Sequence, residues 1–279
     1  MNRDDFEILS GFLRRGSGLS VTPAKLRLIE NRLRPIAVRR GFKDVGELAR
    51  ALAGPDDELG REVADAMATH DTSFFRDIGL FRSLRETVFP ELASARESRR
   101  RISVWCAGCS TGEEAYSLAM AANIAPQLAG WEVEIFATDI SATAIERASS
   151  GVYTHYEVMR GLPLQMLGKY FSKEGDDWRV VRSIRDRIEF RVFNLLDSFD
   201  VLGEFDIVLC RNVLIYFDQA TKAQVLARIS RVLAPDGYLV LGEAETVLGL
   251  VKGLATVPGA RGVFAKTGNA LNHRLAALG

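Results

Sequence analysis

Four short stretches carry side chains whose types and spacing could do chemistry together. The first is Cys106-Ala-Gly-Cys-Ser-Thr-Gly-Glu-Glu114. Gly108 and Gly112 allow close backbone approach to a ligand just before a helical pattern begins. The loop is not G-x-G-x-x-G, and two acids follow it. Acids at a helix N-terminus repel a pyrophosphate. They suit a ligand with a positive end, such as an amino group; helix capping is the plainer alternative. The second is Asp139, 31 residues beyond Gly108. One βαβ unit takes about 30 residues, and an acid there can accept both ribose hydroxyls. Capping of the next helix is its alternative.

The third stretch is Phe193-Asn-Leu195, where the Asn194 amide can contact an adenine edge or simply make a turn. The fourth is Arg211-Asn-Val-Leu-Ile-Tyr-Phe217, where Tyr216 is either functional or a buried aromatic with a satisfied hydroxyl. Cys106-x-x-Cys109 invites a redox or zinc reading. A redox dithiol wants to open a helix in a thioredoxin-like setting, and zinc wants four ligands. Only Cys210 and three histidines remain to complete a zinc site, so the pair reads as loop filling and no metal is expected. No Ser-His-Asp pattern or HExxH stands in the chain.

Strands and helices must bring these stretches together. Short apolar runs at 101–108, 133–139, 188–193, 205–210, 237–242 and 261–266 read as strands. Helical spacing fills 113–125, 141–149 (with Ser141 as cap) and 219–233. The alternation predicts an α/β fold, a parallel doubly wound sheet of Rossmann-like kind, with ligands at the carboxyl ends of its strands. A helix at 162–171 and a strand at 178–181 break the alternation, and predict an inserted small antiparallel β-subdomain at about 155–187. Residues 1–70 show only helical spacing, which predicts an all-helical N-terminal domain. A linker at 71–90 would then lead into a domain spanning 91–279.

Lys plus Arg and Asp plus Glu are both 36, so the formal net charge is zero. A chain-wide nucleic-acid binder shows a basic excess, and this chain does not. The zero hides an uneven distribution: residues 14–43 hold nine basic residues against Glu30 alone. That excess of eight is either a solvated helical face or a docking face for an acidic partner, with Arg27, Arg32, Arg34, Arg39 and Arg40 on it. No apolar run reaches 18 residues, and the N-terminus lacks the apolar core of a signal peptide. A cytoplasmic protein, not inserted in membrane, is the default expectation. Nothing suggests an obligate interface, so a monomer is expected.

The strings His70-Asp-Thr-Ser-Phe-Phe-Arg-Asp77, Gly108-Cys-Ser-Thr-Gly-Glu-Glu-Ala-Tyr-Ser117, Ala137-Thr-Asp139 and Cys210-Arg-Asn-Val-Leu-Ile-Tyr-Phe217, in that order, resemble chemotaxis receptor methyltransferases of the CheR family. The resemblance covers nearly the whole chain. It implies an S-adenosylmethionine-dependent enzyme, releasing S-adenosylhomocysteine, that converts glutamates of chemoreceptor cytoplasmic domains to methyl esters. It implies that Glu114 or Glu113 takes the methionyl amino group and that Asp139 holds the ribose. Asn194, Leu195, Asn212 and Val213 would frame the adenine end. His70, where family members often have Asn, would line the cleft with Thr72, Arg76 and Gly108. Arg76 would orient the acceptor carboxylate, and Tyr216 would stand near the transferred methyl.

Three positions depart from the family pattern. Ala115 replaces the usual proline after the two glutamates. Gly242-Glu-Ala-Glu245 replaces Gly-His-Ser-Glu, so Glu243 stands for a histidine. The loop 172–178 is shorter than in members that tether to a receptor C-terminal peptide, which predicts a tether-independent enzyme. Two rivals remain at this point: a methyltransferase for another carboxylate or small molecule, and a non-catalytic cofactor-binding signalling protein.

Overall fold

The computed structural model describes residues 1–267; residues 268–279, the end of the domain expected from 91 onward, lie outside the described residues. Four helices open the chain: α1 (Arg3–Ser17), α2 (Leu26–Arg39), α3 (Val45–Ala51) and α4 (Asp57–Met67). Each of three starts is capped by a side chain, with Asn2, Asp44 and Asp56 accepting N–H groups of the first turn. The apolar positions at helical spacing converge: Leu9, Leu13, Ile29, Leu33, Leu48 and Val63 are fully buried in one cluster. α5 (Ile78–Ser83), a wider turn at Leu84–Val88 and α6 (Phe89–Ala95) lead into the sheet.

The sheet is built from β1 (Arg101–Ala107), α7 (Glu113–Ile124), β2 (Glu132–Asp139) and α8 (Ala142–Ser150). The insertion follows: β3 (Val152–Thr154), α9 (His155–Met159), α10 (Leu164–Tyr170), β4 (Phe171–Glu174), β5 (Asp177–Val180) and α11 (Arg182–Arg185). The main sheet resumes with β6 (Ile188–Val192), β7 (Phe205–Cys210), α12 (Gln219–Val232), β8 (Leu233–Leu241), β9 (Leu254–Thr256) and β10 (Val263–Lys266). Its strand order is β6-β2-β1-β7-β8-β10-β9. The first five are parallel neighbours.

The sheet is not wholly parallel, however. β10 runs antiparallel to β8, and β9 antiparallel to β10. No helix crosses over between β8 and β10, and without a crossover a returning strand can only run antiparallel. β9 has three residues, too few for a readable alternation.

Both faces of the sheet are covered, which explains the near-continuous apolar runs. Val104 and Cys106 of β1 pack in the cluster that holds Leu118 of α7, while Trp105 and Ala107 join Val225 of α12. From β1 the chain winds outward through β2 to β6, then returns to β7 on the other side of β1. The switch point is therefore between β1 and β7, and a crevice opens beyond their carboxyl ends.

The insertion forms its own antiparallel sheet in the order β3-β5-β4, with a tight turn at Gly175 and Asp176. β3 begins at Val152, ahead of the start near 155 read from sequence. Phe74 anchors this sheet, edge-on to Tyr153 at 4.9 Å and to Phe171 at 5.4 Å.

The N-terminal helices sit over the crevice. Gly18 ends α1 in a left-handed conformation, and a Cβ there would lie 2.9 Å from the Phe217 ring. Past it the chain straps across the rim: Leu19 bridges to Phe217, and the Ser20 N–H donates to the Tyr216 carbonyl at 2.8 Å. On the other side Thr143 Oγ1 donates to Asp65 at 2.8 Å.

Candidate functional site

The crevice at the switch point holds a cavity that is partly open to solvent. All four chemical stretches contribute to its wall, as do Ser17 and Leu19 of the strap and Thr69, Asp71, Thr72 and Arg76 of the interdomain segment.

The loop after β1 sets the floor. Gly108 has φ +80°, and its N–H donates to the Thr138 carbonyl at 2.7 Å. A Cβ at Gly108 would stand 2.3 Å from Val213 Cγ2, so only glycine lets these two loops meet. Asp139 accepts the Ser110 N–H at 2.8 Å and the Ser141 N–H at 3.0 Å. Ser141, as read from sequence, is the residue that caps α8, receiving the Ala144 N–H at 3.0 Å. Asp139 is thus freed from capping and lines the cavity.

The two acids at the start of α7 face different spaces. Glu114 lines the main cavity, where Arg211 Nη1 meets its Oε2 at 2.5 Å. Glu113 does not. It is 3% exposed, accepts Thr111 Oγ1 at 2.7 Å, and borders a separate polar recess toward the insertion. Burial pushes its carboxyl above the ordinary range. His70 borders that same recess, its Nδ1 3.3 Å from Ser110 Oγ, while Thr72 lines both spaces. The sequence reading expects His70 in the cofactor cleft and Glu113 as the alternative to Glu114 there; both instead border this recess. Successive helix residues point about 100° apart, so two adjacent acids cannot both face one cavity.

Asn194 serves both as a turn residue and as a domain tie. Its Oδ1 accepts the Leu196 N–H at 3.0 Å, and its Nδ2 donates to the Gly16 carbonyl of α1 at 2.6 Å. Asn194, Leu195, Asn212, Val213 and Tyr216 line one end of the cavity. Arg76 also lines the cavity, half-exposed, with Nη1 donating to the Asp71 carbonyl at 2.6 Å and Nη2 4.0 Å from the Asp71 carboxylate. Asp71 in turn pairs with Arg160 at 2.8 Å, which holds its carboxyl below the ordinary range.

Two residues escaped the sequence reading. Arg211 is a buried cation in the cavity wall. Glu245 accepts backbone N–H groups of Asn212 (2.8 Å), Val213 (3.0 Å), Ile215 (3.3 Å) and Gly242 (2.8 Å). The family resemblance gives it no role beyond matching the last residue of the Gly-His-Ser-Glu string, yet it is the clamp of the loop that presents Tyr216. Glu243 is exposed and faces Arg261 at 3.9 Å. The three thiols are buried, and burial pushes each well above its ordinary value, so none is a ready nucleophile.

The basic face needs correction. Arg32 Nη1 donates to the Met67 and Ala68 carbonyls at 2.8 and 3.0 Å, closing the C-terminus of α4. Arg39 pairs with Glu62 at 2.7 Å, and Arg40 with Glu62 at 2.6 Å and Glu58 at 3.1 Å. Acids of α4 therefore neutralise much of the excess counted along the chain. Arg27 and Arg34 are exposed and, among the described residues, make no ion pair.

A family model described as "CheR methyltransferase, SAM binding domain" matches residues 70–263. The chain is 40% identical over 250 residues to chemotaxis protein methyltransferase 1 of Pseudomonas aeruginosa, a match covering 87% of this chain and 90% of that protein. It is 40% identical over 254 residues to chemotaxis protein methyltransferase Cher2 of Pseudomonas putida, covering 88% and 91%. A third relative, the probable biofilm formation methyltransferase WspC of Pseudomonas aeruginosa, is 35% identical over 247 residues, covering 88% of this chain and 57% of that protein.

Proposed function

The chain belongs to the CheR family of S-adenosylmethionine-binding methyltransferases, and from that premise we propose that it forms methyl esters on glutamate side chains of chemoreceptor cytoplasmic regions. The observation that carries this reading is one cavity whose wall holds the acids Glu114 and Asp139 together with the half-exposed guanidinium of Arg76. The donor set fits the cofactor. Glu114 suits a methionyl ammonium, Asp139 has lone pairs left for ribose hydroxyls, and Leu195 and Val213 give an apolar wall for a purine. No cradle of helix N–H groups for a pyrophosphate is needed, and the acids at α7 would oppose one.

The chain's own residues then have a simple task. A glutamate of ordinary pKa, about 4.3, is already a carboxylate at pH 7, so no general base is required. When bound, the cofactor supplies a methyl group on a sulfonium, electrophilic toward a carboxylate oxygen. Arg76 would hold the acceptor carboxylate in line, and Tyr216 would confine the space beside the reacting atoms. Ser17 and Leu19 cover part of the cavity, and a carboxylate held beneath them would be less solvated and more nucleophilic.

Arg27 and Arg34 favour an acidic macromolecule over a small molecule as acceptor. The two-residue turn between β4 and β5 leaves little surface for a tethering peptide, which favours a tether-independent enzyme. No described helix is long and apolar enough to cross a membrane, and we place the protein in the cytoplasm with its receptor's signalling domain. The circuit served is motility or another sensory pathway, in keeping with relatives named for chemotaxis and for biofilm formation.

The test is incubation of labelled cofactor with an acidic receptor cytoplasmic domain. Alkali-labile label on the receptor, released as methanol, supports the proposal. Transfer only to small carboxylates favours the broader methyltransferase reading. Tight cofactor binding without transfer to any acceptor identifies a non-catalytic binder.

A further inference from the structure

We propose that Arg211 is a positioning residue that fixes Glu114 for the charged end of the cofactor and locks the Arg76 segment onto the same cavity. The inference rests on the cofactor reading above but not on the identity of the acceptor.

Arg211 is the first residue after β7, at the switch point. Its side chain is 2% exposed, yet it touches three residues in two other parts of the chain. Nη1 donates to Glu114 Oε2 at 2.5 Å and to the Arg76 carbonyl at 3.3 Å. Nη2 lies 3.5 Å from Asp77 Oδ2, and Asp77 holds φ +70° while its side chain caps α5. One guanidinium therefore joins the start of α7, the end of β7 and the interdomain segment. A lysine ammonium is a point charge and cannot span three such acceptors in a fixed plane.

The cluster is poorly arranged for stability alone. Arg211 Nε is buried and has no hydrogen-bond partner among the described residues. An unmet buried donor is costly, and a buried ion pair is weak evidence of net stabilisation. The geometry makes sense as preorganisation. Arg211 engages Glu114 through Oε2 only, and no described residue engages Oε1. The carboxylate is held in one orientation, with its second oxygen left for an incoming ammonium.

The experiment compares two ligands by calorimetric titration of the full chain. S-adenosylhomocysteine carries the amino-acid end; 5′-methylthioadenosine shares the nucleoside and thioether but lacks that end. Arg211→Met should lower affinity for S-adenosylhomocysteine on the order of tenfold, a coupling of usual size for contacting charges. Affinity for 5′-methylthioadenosine should change less than about twofold. Glu114→Gln should lose the same preference, and the double variant should lose little more. Arg211→Lys keeps the charge, is the variant to use if the methionine form does not fold, and should lose part of the preference. Equal weakening of both ligands, or an intact preference in Arg211→Met, overturns the assignment. Failure of the wild-type chain to bind S-adenosylhomocysteine would overturn the cofactor reading itself.

Discussion

The carboxylate of Glu245 accepts the backbone N–H of Asn212 at 2.8 Å across 33 residues of sequence. The same carboxylate receives the N–H groups of Val213, Ile215 and Gly242. Asn212 has φ +57°, so the chain leaves β7 through a sharp left-handed turn that needs such a clamp. Glutamine in place of Glu245 keeps one acceptor oxygen and loses the charge. Glu245→Gln should cost about 2 kcal/mol and lower the melting midpoint by roughly 4–8 °C. Cofactor affinity should fall with it, because Asn212 and Val213 line the cavity. Calorimetric melting and ligand titration check both; a fall in stability with unchanged affinity would separate the clamp from the site.

Gly108 meets Val213 too closely for any side chain. Gly108→Ala adds left-handed strain of about 1–3 kcal/mol and a clash of similar size. Val213→Ala in the same chain should recover the clash and leave the strain. Denaturant unfolding of the single and double variants reads the two parts separately.

The parallel half of the fold was legible because buried strands write themselves as unbroken apolar runs. Arg101–Ala107 and Phe205–Cys210 are both of this kind, and positive-φ glycine follows the first. Gly108, Asp139 and Glu114 were found for the same reason: strand ends at a switch point are where ligands bind. What stayed hidden depends on partners far along the chain. Nothing near Glu245 announces a loop 30 residues back, and nothing near Arg32 announces the end of α4 at Met67. Charge counting reads Arg32, Arg39 and Arg40 as a free basic surface, whereas the fold engages them with carbonyls and acids of α4 and its C-terminus, Arg39 while still exposed.

Glu113 gives a pH signature. Burial raises its carboxyl above the ordinary value of 4.5. The folded state therefore binds its proton more tightly than the unfolded state. This group favours folding below about pH 4.5, and that advantage is lost as pH rises through the elevated value. Glu113→Gln retains an acceptor for Thr111 and removes the buried charge. It should match wild type at low pH and be as stable or more stable near pH 7.5. Urea titrations at the two pH values check this; a variant less stable only at high pH would contradict it.

Arg27 and Arg34 are the exposed cations of α2 left for a partner. Arg27→Glu with Arg34→Glu should slow methylation of an acidic receptor several-fold or more at low salt, and the deficit should shrink near 0.5 M salt. Cofactor affinity should not move. Arg32→Glu should instead destabilise the helical domain, because it opens the last turn of α4. Initial rates against ionic strength, with parallel melting curves, distinguish docking from structure.

Arg76 is the last case, and its environment gives the sharpest expectation. Its guanidinium is anchored on one side by the Asp71 carbonyl, and Asp71 is itself fixed by Arg160. The guanidinium lines the cavity, with its Nη2 4.0 Å from the Asp71 carboxylate, and it can offer donors to a carboxylate that enters there. Alignment of that carboxylate is most of what the reaction asks of the protein, and losing such alignment costs about 10²-fold in rate. Arg76→Ala should therefore cut methyl transfer by roughly 10²-fold with only a slight change in cofactor affinity. Arg76→Lys should recover part of the rate, because the charge survives while the fork geometry does not. Asp71→Asn leaves the anchoring carbonyl in place and loses the Arg160 pair. It should have a milder effect than Arg76→Ala, seen mainly as a higher receptor KM. Equal losses of transfer and cofactor binding in Arg76→Ala would assign the residue to holding the cofactor and not the acceptor.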